Sequence, residues 1–162
     1  MSIQLELECS DAFHIGLLGS LGFLGWVLSL LVIPRAVDRS GRKWIIIISS
    51  IAAVVAYIGI MFSTSIYLTY FFILFNGLTL AGRVSVGYVY MMELLPAESR
   101  TAVGTTLLAL ESLIGLFGAL VYKNFHTASF RNFAYPGPLL TIIGIIMMSF
   151  LPESPIYLLR SD

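Results

Sequence analysis

Charged residues are scarce in this chain of 162 residues, because Asp, Glu, Lys and Arg together make up 11% of it. A soluble domain carries about 25% charged residues, so the composition argues against a water-soluble fold. Basic and acidic residues also balance at nine each. Binding to nucleic acid needs a surplus of Lys and Arg, and we therefore expect no nucleic-acid partner. Cys9 is the one cysteine, which excludes an intrachain disulfide.

Sequence signatures of catalysis are missing as well. The chain contains no glycine-rich phosphate loop, no Gly-x-Ser-x-Gly elbow and no zinc-ligand pattern. His14 and His126 have no cysteine, histidine or carboxylate partner at ligand spacing. We therefore expect neither an enzymatic activity, nor a bound metal, nor a cofactor.

Apolar residues, in contrast, are abundant and arrive in long blocks. They make up 58% of the chain, and the mean hydropathy is +0.93. A helix needs about 20 mostly apolar residues to cross the hydrocarbon core of a bilayer, and backbone groups in lipid are satisfied within a helix. The sequence predicts an all-α membrane protein whose single domain, 1–162, spans the lipid bilayer five times. The predicted spans are 12–34, 44–62, 66–92, 101–122 and 133–151.

The distribution of basic residues predicts the orientation of the chain. The segment between the first two spans contains Arg35, Arg39, Arg42 and Lys43 against one acid, Asp38. Cytoplasmic loops carry an excess of Lys and Arg, so we expect this segment in the cytoplasm. The N-terminus then lies outside and the C-terminus lies in the cytoplasm, because five spans put the termini on opposite sides. No signal in the sequence indicates which membrane the chain enters.

Three short segments carry a resemblance to a known family. They are PRAVDRSGRK at Pro34–Lys43, ELLPAESR at Glu93–Arg100 and PESP at Pro152–Pro155. In this order and at this spacing they resemble the major facilitator superfamily, closest to its sugar-porter and organic-ion branch. There the corresponding segments follow transmembrane helices 2, 4 and 6.

The resemblance implies a transporter that moves a small solute, such as a sugar or an organic ion, by alternating access. It also implies that this chain corresponds to helices 2 to 6 of the N-terminal half, without helix 1 and without the second half. A second chain or a homo-oligomer would then complete the bundle. The alternative is a non-transporting membrane scaffold or regulatory fragment descended from a transporter, and the three segments do not separate the two.

The charged residues of these segments allow two interpretations. The first is that Arg39, Arg42 and Lys43 only anchor the orientation of the chain. The second, implied by the resemblance, is a cytoplasmic ion network of acids and Arg100 that holds one conformation. The residues with a predicted gating role are Asp38, Arg39, Gly41, Arg42, Lys43, Glu93, Pro96, Arg100 and Glu153.

Two charges, Arg83 and Glu111, lie inside predicted spans. Arg83 precedes Leu94 by eleven residues and Glu111 follows Arg100 by eleven. At about 1.5 Å per residue, both lie about 16 Å from the cytoplasmic end. Because a charge at this depth costs several kcal/mol unless it is paired or faces water, we predict an Arg83–Glu111 ion pair facing the bundle interior. The pair is either structural or part of the solute pathway.

Spacing adds two residues to the pathway candidates and four glycines to the packing candidates. Asn76, Arg83 and Tyr90 recur every seven residues, which predicts one polar stripe on the helix, so the pathway candidates are Arg83, Glu111, Asn76 and Tyr90. Small residues let helices approach closely in lipid, which predicts helix contacts at the glycines of the first span. These are Gly16, Gly19, Gly22 and Gly25.

Overall fold

A computed structural model of the chain describes residues 12–63, 65–124 and 136–153, and these residues form helices and no strand. The helices are α1 (Ala12–Ser40), α2 (Arg42–Phe62), α3 (Ile66–Leu94), α4 (Ala97–Asn124) and α5 (Pro136–Phe150). The first four are long and apolar enough to cross a membrane, and the described part of α5 is a shorter apolar helix of 15 residues. The all-α membrane class predicted from the sequence is confirmed.

The turn between α1 and α2 is shorter than the run of charged residues indicates. Helix α1 continues through Pro34 to Ser40, and Gly41 alone separates it from α2. The amide of Gly41 donates a hydrogen bond of 3.0 Å to the carbonyl oxygen of Val37, and its φ angle is +84°. This region of φ favours glycine because a Cβ atom is disfavoured there.

Helices α2 and α3 are joined by a tight turn that hydroxyl groups hold. The Ser63 hydroxyl lies 2.9 Å from the Ser65 carbonyl oxygen and 2.9 Å from the Thr69 hydroxyl. Thr69 in turn donates to the Ser65 carbonyl oxygen at 3.1 Å. The hydroxyls of Ser63 and Thr69 and the carbonyl oxygen of Ser65 therefore stabilise this short turn.

Helices α1 and α3 cross with their backbones in contact. A Cβ atom on Gly25 would lie 2.4 Å from a carbonyl oxygen of α3, and one on Gly77 would lie 2.3 Å from the carbonyl oxygen of Gly22. The prediction of glycine-mediated packing is thus confirmed for Gly22 and Gly25. No atom lies within 4 Å of a Cβ built on Gly16 or Gly19, so those two glycines make no such contact with the described residues.

Helix α3 contains one turn of π-helix, Ala81–Ser85, which separates two α-helical segments. At this turn Gly82 lies so close to α2 that a Cβ atom would be 1.8 Å from the Ser49 hydroxyl oxygen. Ala53 of α2 and Ala81 of α3 are likewise almost completely buried. Small residues therefore seat α2 against the π-helical turn, and π-turns of this kind are frequent at functional sites.

Helix α4 leaves the bundle formed by the other helices. It meets α3 at Gly104, where a Cβ atom would lie 2.7 Å from Met92 Cε and 2.8 Å from the Tyr88 hydroxyl. Residues 108–120 are all exposed. Gly115 and Gly118 of this part have no neighbour within 4 Å of a built Cβ. Within the described ranges, nothing packs against this part of α4.

Candidate functional site

The end of the bundle near Gly41 holds a group of five predicted gating residues, here called the helix-end cluster. Its members are Gly41, Arg42, Lys43, Glu93 and Glu153. Glu153 Oε1 accepts hydrogen bonds from the backbone amides of Arg42 at 3.1 Å and Lys43 at 3.0 Å. These are the first two amides of α2, and they have no hydrogen-bond partner within the helix. A carboxylate is favoured at this positive end of the helix dipole. Glu153 therefore acts as a cap on α2 although it follows α5.

Gly41 is required at this position for two separate reasons. Its φ angle of +84° favours glycine, and a Cβ atom there would lie 3.1 Å from the Glu153 carboxylate. Because glycine has no side chain, the Glu153 carboxylate has room to lie close to the start of α2. Turn conformation and capping depend on the same glycine.

Arg42 and Glu93 form the ion pair that joins α2 to the end of α3. Arg42 Nη2 lies 2.8 Å from Glu93 Oε1, and the two side chains are only 15% and 11% exposed. A charge-assisted hydrogen bond of this length is about twice as strong as a neutral one. The pair therefore ties the two helices together at the same end where Glu153 caps α2.

Two further side chains of α2 and α3 hold the end of α5. Lys43 Nζ donates to the carbonyl oxygens of Ser149 and Leu151 at 3.0 and 2.6 Å. The buried Tyr90 hydroxyl donates to the carbonyl oxygen of Pro152. The last carbonyl groups of a helix have no partner within it, and a lysine is favoured beside them. Helices α2 and α3 and the end of α5 are thus held together here by hydrogen bonds that each involve a charged or phenolic group.

The structure corrects the predicted ion network in two of its members. Asp38 is exposed and forms no ion pair or hydrogen bond with the described residues. Arg100 is exposed too, and its Nε donates to the backbone carbonyl of Leu95 at 3.0 Å. Asp38 lies on the outward face of α1, and Arg100 turns back onto the turn before α4, so neither side chain reaches Glu93 or Glu153.

Pro96 and Arg39, the other two predicted gating residues, are not members of the helix-end cluster. Pro96 stands before α4, and its carbonyl oxygen accepts from both the amide and the hydroxyl of Ser99 at 3.1 Å. Arg39 is exposed in the last turn of α1. Ser154 and Pro155 of the third segment lie outside the described residues.

Arg83 occupies the centre of the π-helical turn and has only neutral partners among the described residues. Its Nη2 donates to Asn76 Oδ1 at 3.2 Å and to the Tyr57 hydroxyl at 3.5 Å, and its Cζ lies 5.6 Å from the centre of the Tyr57 ring. Its Nε is buried without a hydrogen-bond partner. The seven-residue spacing correctly brings Arg83 and Asn76 together. Tyr57 was missed, since no spacing within α3 reveals a partner on α2.

The predicted ion pair between Arg83 and Glu111 is wrong. Glu111 is exposed on α4, and the side chain of Arg83 donates to Asn76 and Tyr57 instead. The two residues match in depth along their helices, but α4 diverges from α3 beyond Gly104. Equal depth therefore does not place them side by side.

A groove of about 490 Å³ lies between α2, α3 and α5, and Arg83 lines it. Tyr90 lines it as well, with Ser50 of α2 and Thr141 of α5. Arg83 is the one charged residue among the lining residues that the structure describes, and the rest are mostly apolar or glycine. Pockets of about 300–1,000 Å³ with mainly apolar walls and a few polar groups are typical sites for small molecules.

Comparison with known proteins agrees with this architecture of apolar helices and charged turns. The sequence profile of the Major Facilitator Superfamily matches residues 2–161, and the chain belongs to that family. It is 28% identical over 160 residues to "Sugar transporter ERD6-like 15" of Arabidopsis thaliana, covering 98% of this chain and 32% of the relative. It is also 28% identical over 145 residues to a "D-xylose transporter" of Levilactobacillus brevis, covering 85% of this chain and 31% of the relative. The chain thus spans about a third of the length of these relatives.

Proposed function

We propose that this chain is part of a transporter that moves a small solute, a sugar or an organic ion, across the membrane by alternating access. The observation that carries the proposal is the helix-end cluster, in which residues from three distant segments meet at one end of the bundle. Membership of the Major Facilitator Superfamily and the similarity to two proteins named as sugar transporters support solute transport.

In this proposal the helix-end cluster stabilises one conformation. Glu153 and Glu93 hold α2 through three hydrogen bonds to Arg42 and Lys43, each of which involves a charged group. Hydrogen bonds to charged groups contribute about 1.5–3 kcal/mol each, so breaking the cluster carries a definite free-energy cost. Asp38, exposed at the same end, would meet the remainder of the transporter in one of the two states.

The proposed solute pathway includes Arg83, Asn76 and Tyr90 of α3. Support comes from the hydrogen bond between Arg83 and Asn76 and from the groove that Arg83 and Tyr90 line. Glu111 is a further candidate, because a carboxylate on a membrane helix is expected to face water or a partner. The exposed face of α4 at residues 108–120 supports a second chain or a homo-oligomer that covers it.

Uptake of radiolabelled solutes by proteoliposomes containing the purified chain tests transport directly. The panel would include D-xylose, glucose, organic cations and organic anions. We expect saturable uptake that is abolished in Arg83→Ala and retained in the control Arg35→Gln, since Arg35 is exposed and bonded to a backbone carbonyl. Folded and inserted protein that takes up no solute would instead favour the scaffold alternative.

We also propose that the N-terminus lies outside and the C-terminus in the cytoplasm. The single cysteine, Cys9, makes this testable with a membrane-impermeant maleimide on intact cells. We expect Cys9 to be labelled without permeabilisation. A matched chain carrying Cys9→Ser and Ser161→Cys should be labelled only after permeabilisation, and the reverse pattern would refute the orientation.

A further inference from the structure

Two charges of opposite sign lie within membrane-spanning helices without an ion-pair partner among the described residues. Arg83 of α3 donates to two neutral groups, the Asn76 amide and the Tyr57 hydroxyl. Glu111 of α4 is exposed and forms no ion pair with the residues that the structure describes. A charge inside a membrane span is costly unless it meets an opposite charge or water, so both residues call for a partner.

The two charges lie at the same depth but on helices that diverge. Arg83 precedes Leu94 by eleven residues and Glu111 follows Arg100 by eleven, which puts both about 16 Å from the same end of the bundle. A dimer whose two-fold axis is perpendicular to the membrane keeps every residue at its depth. Glu111 of one copy can therefore meet Arg83 of another, although the two residues of one chain do not meet.

Glycines on both sides favour a close contact between α4 and the groove beside Arg83. Gly87 of α3 and Gly144 of α5 line the groove, and a Cβ atom built on either has no neighbour within 4 Å. On α4, Gly115 and Gly118 follow Glu111 by four and seven residues, so they share its face, and they too have no such neighbour. Small residues let helices approach closely in lipid, and the mainly apolar groove suits an apolar helix.

We propose that two copies of this chain form a parallel dimer in the membrane, in which Glu111 of each copy pairs with Arg83 of the other. The inference rests on the proposed function, in which a second chain or a homo-oligomer covers α4, and it names that chain and the contact. A two-fold interface repeats each contact, so one dimer contains two such pairs. The opposite charges at matching depth, the exposed face at residues 108–120 and the groove then belong to one interface.

Mixing two charge-reversed variants tests whether the pair forms between chains. Arg83→Glu places two acids at each contact and Glu111→Arg places two arginines, so either variant alone should dimerise about tenfold more weakly or worse. A one-to-one mixture should dimerise as the wild type does, because each contact of a mixed dimer again holds an acid and an arginine. Two-colour single-molecule energy transfer in liposomes measures the dimer fraction over a range of protein-to-lipid ratios. The control Arg35→Gln should dimerise normally, since Arg35 is bonded to a carbonyl of its own helix.

Three results would overturn the proposal: a monomeric wild type at every ratio, unchanged dimerisation in both single variants, or no recovery in a mixture of folded and inserted variants. Recovery in the mixture alone is the result that a pair within one chain does not produce.

Cross-linking provides a second measurement that leaves one native pair in place. Chains carrying Cys9→Ser/Arg83→Cys and Cys9→Ser/Glu111→Cys are mixed and treated with a short bifunctional thiol reagent. We expect a cross-linked dimer, because the two cysteines meet at one contact while the other contact keeps its arginine and glutamate. In the control, Leu120→Cys replaces Glu111→Cys and lies nine residues further along α4, about 13 Å away, so cross-linking should be largely lost. Equal cross-linking at both positions would refute the proposed contact.

Dimerisation and transport are separated by this design. A dimer that takes up no solute in proteoliposomes would support the interface and count against transport by this chain. Uptake by protein that stays monomeric in the same liposomes would leave transport standing and overturn the dimer.

Discussion

Arg42 and Arg83 are both half-buried arginines, but the described neighbours of Arg42 include negatively charged carboxylates and those of Arg83 are neutral. Arg42 meets a carboxylate at 2.8 Å, and a second carboxylate accepts from its backbone amide at 3.1 Å. Arg83 meets an amide, a phenol and an aromatic ring. Among the residues that the structure describes, the arginine at the helix end thus has carboxylate partners, whereas the one deep in α3 has only neutral partners.

The largest expected effect is the loss of the Arg42–Glu93 pair. Replacing one partner of a largely buried pair leaves the other charge uncompensated, so Arg42→Met should lower the free energy of unfolding by about 3 kcal/mol. Unfolding in mixed detergent–dodecyl sulfate micelles measures this value. The double variant Arg42→Met/Glu93→Leu should recover part of the loss, and the control Arg35→Met should change little. Additive losses in the double variant would show that the two side chains do not stabilise each other.

A smaller effect is expected from Glu153→Ala, which removes the cap from α2. Two backbone amides lose a charged acceptor but become accessible to water, so the expected loss is about 2 kcal/mol. The same unfolding measurement applies, with Asp38→Ala as the control because Asp38 is an exposed acid at the same end. If both variants lose equal stability, capping by Glu153 is not the cause.

The smallest of the three effects is expected for Gly41→Ala. A positive φ angle costs a non-glycine residue about 1 kcal/mol, and the new methyl group meets the Glu153 carboxylate at close range. The expected loss is about 1–2 kcal/mol in the same unfolding measurement. In the background of Glu153→Ala the cost should fall, since the neighbour of the new methyl group is gone. An equal cost in both backgrounds would assign the whole effect to the backbone.

Much of the helix-end cluster follows from residue spacing. The charged segments 34–43 and 93–100 and the pair Pro152–Glu153 each stand at the end of an apolar block, so their meeting at one end of an antiparallel bundle is a consequence of chain reversal. The sequence did not indicate that Glu153 caps α2, because a cap supplied by a distant segment leaves no local pattern. The sequence also did not indicate that Asp38 and Arg100 lie apart from the other predicted members of the ion network.

The sequence by itself determined the all-helical membrane class, the close helix contacts at Gly22 and Gly25, and the positions of Arg83 and Glu111 along their helices. Apolar length and residue period fix these properties, since both act along a single helix. Only the tertiary structure decided that Arg83 turns to Tyr57 and Asn76 while Glu111 lies exposed on α4. Spacing along a chain gives the height of a residue on its helix, whereas the neighbour it meets depends on how the helices diverge.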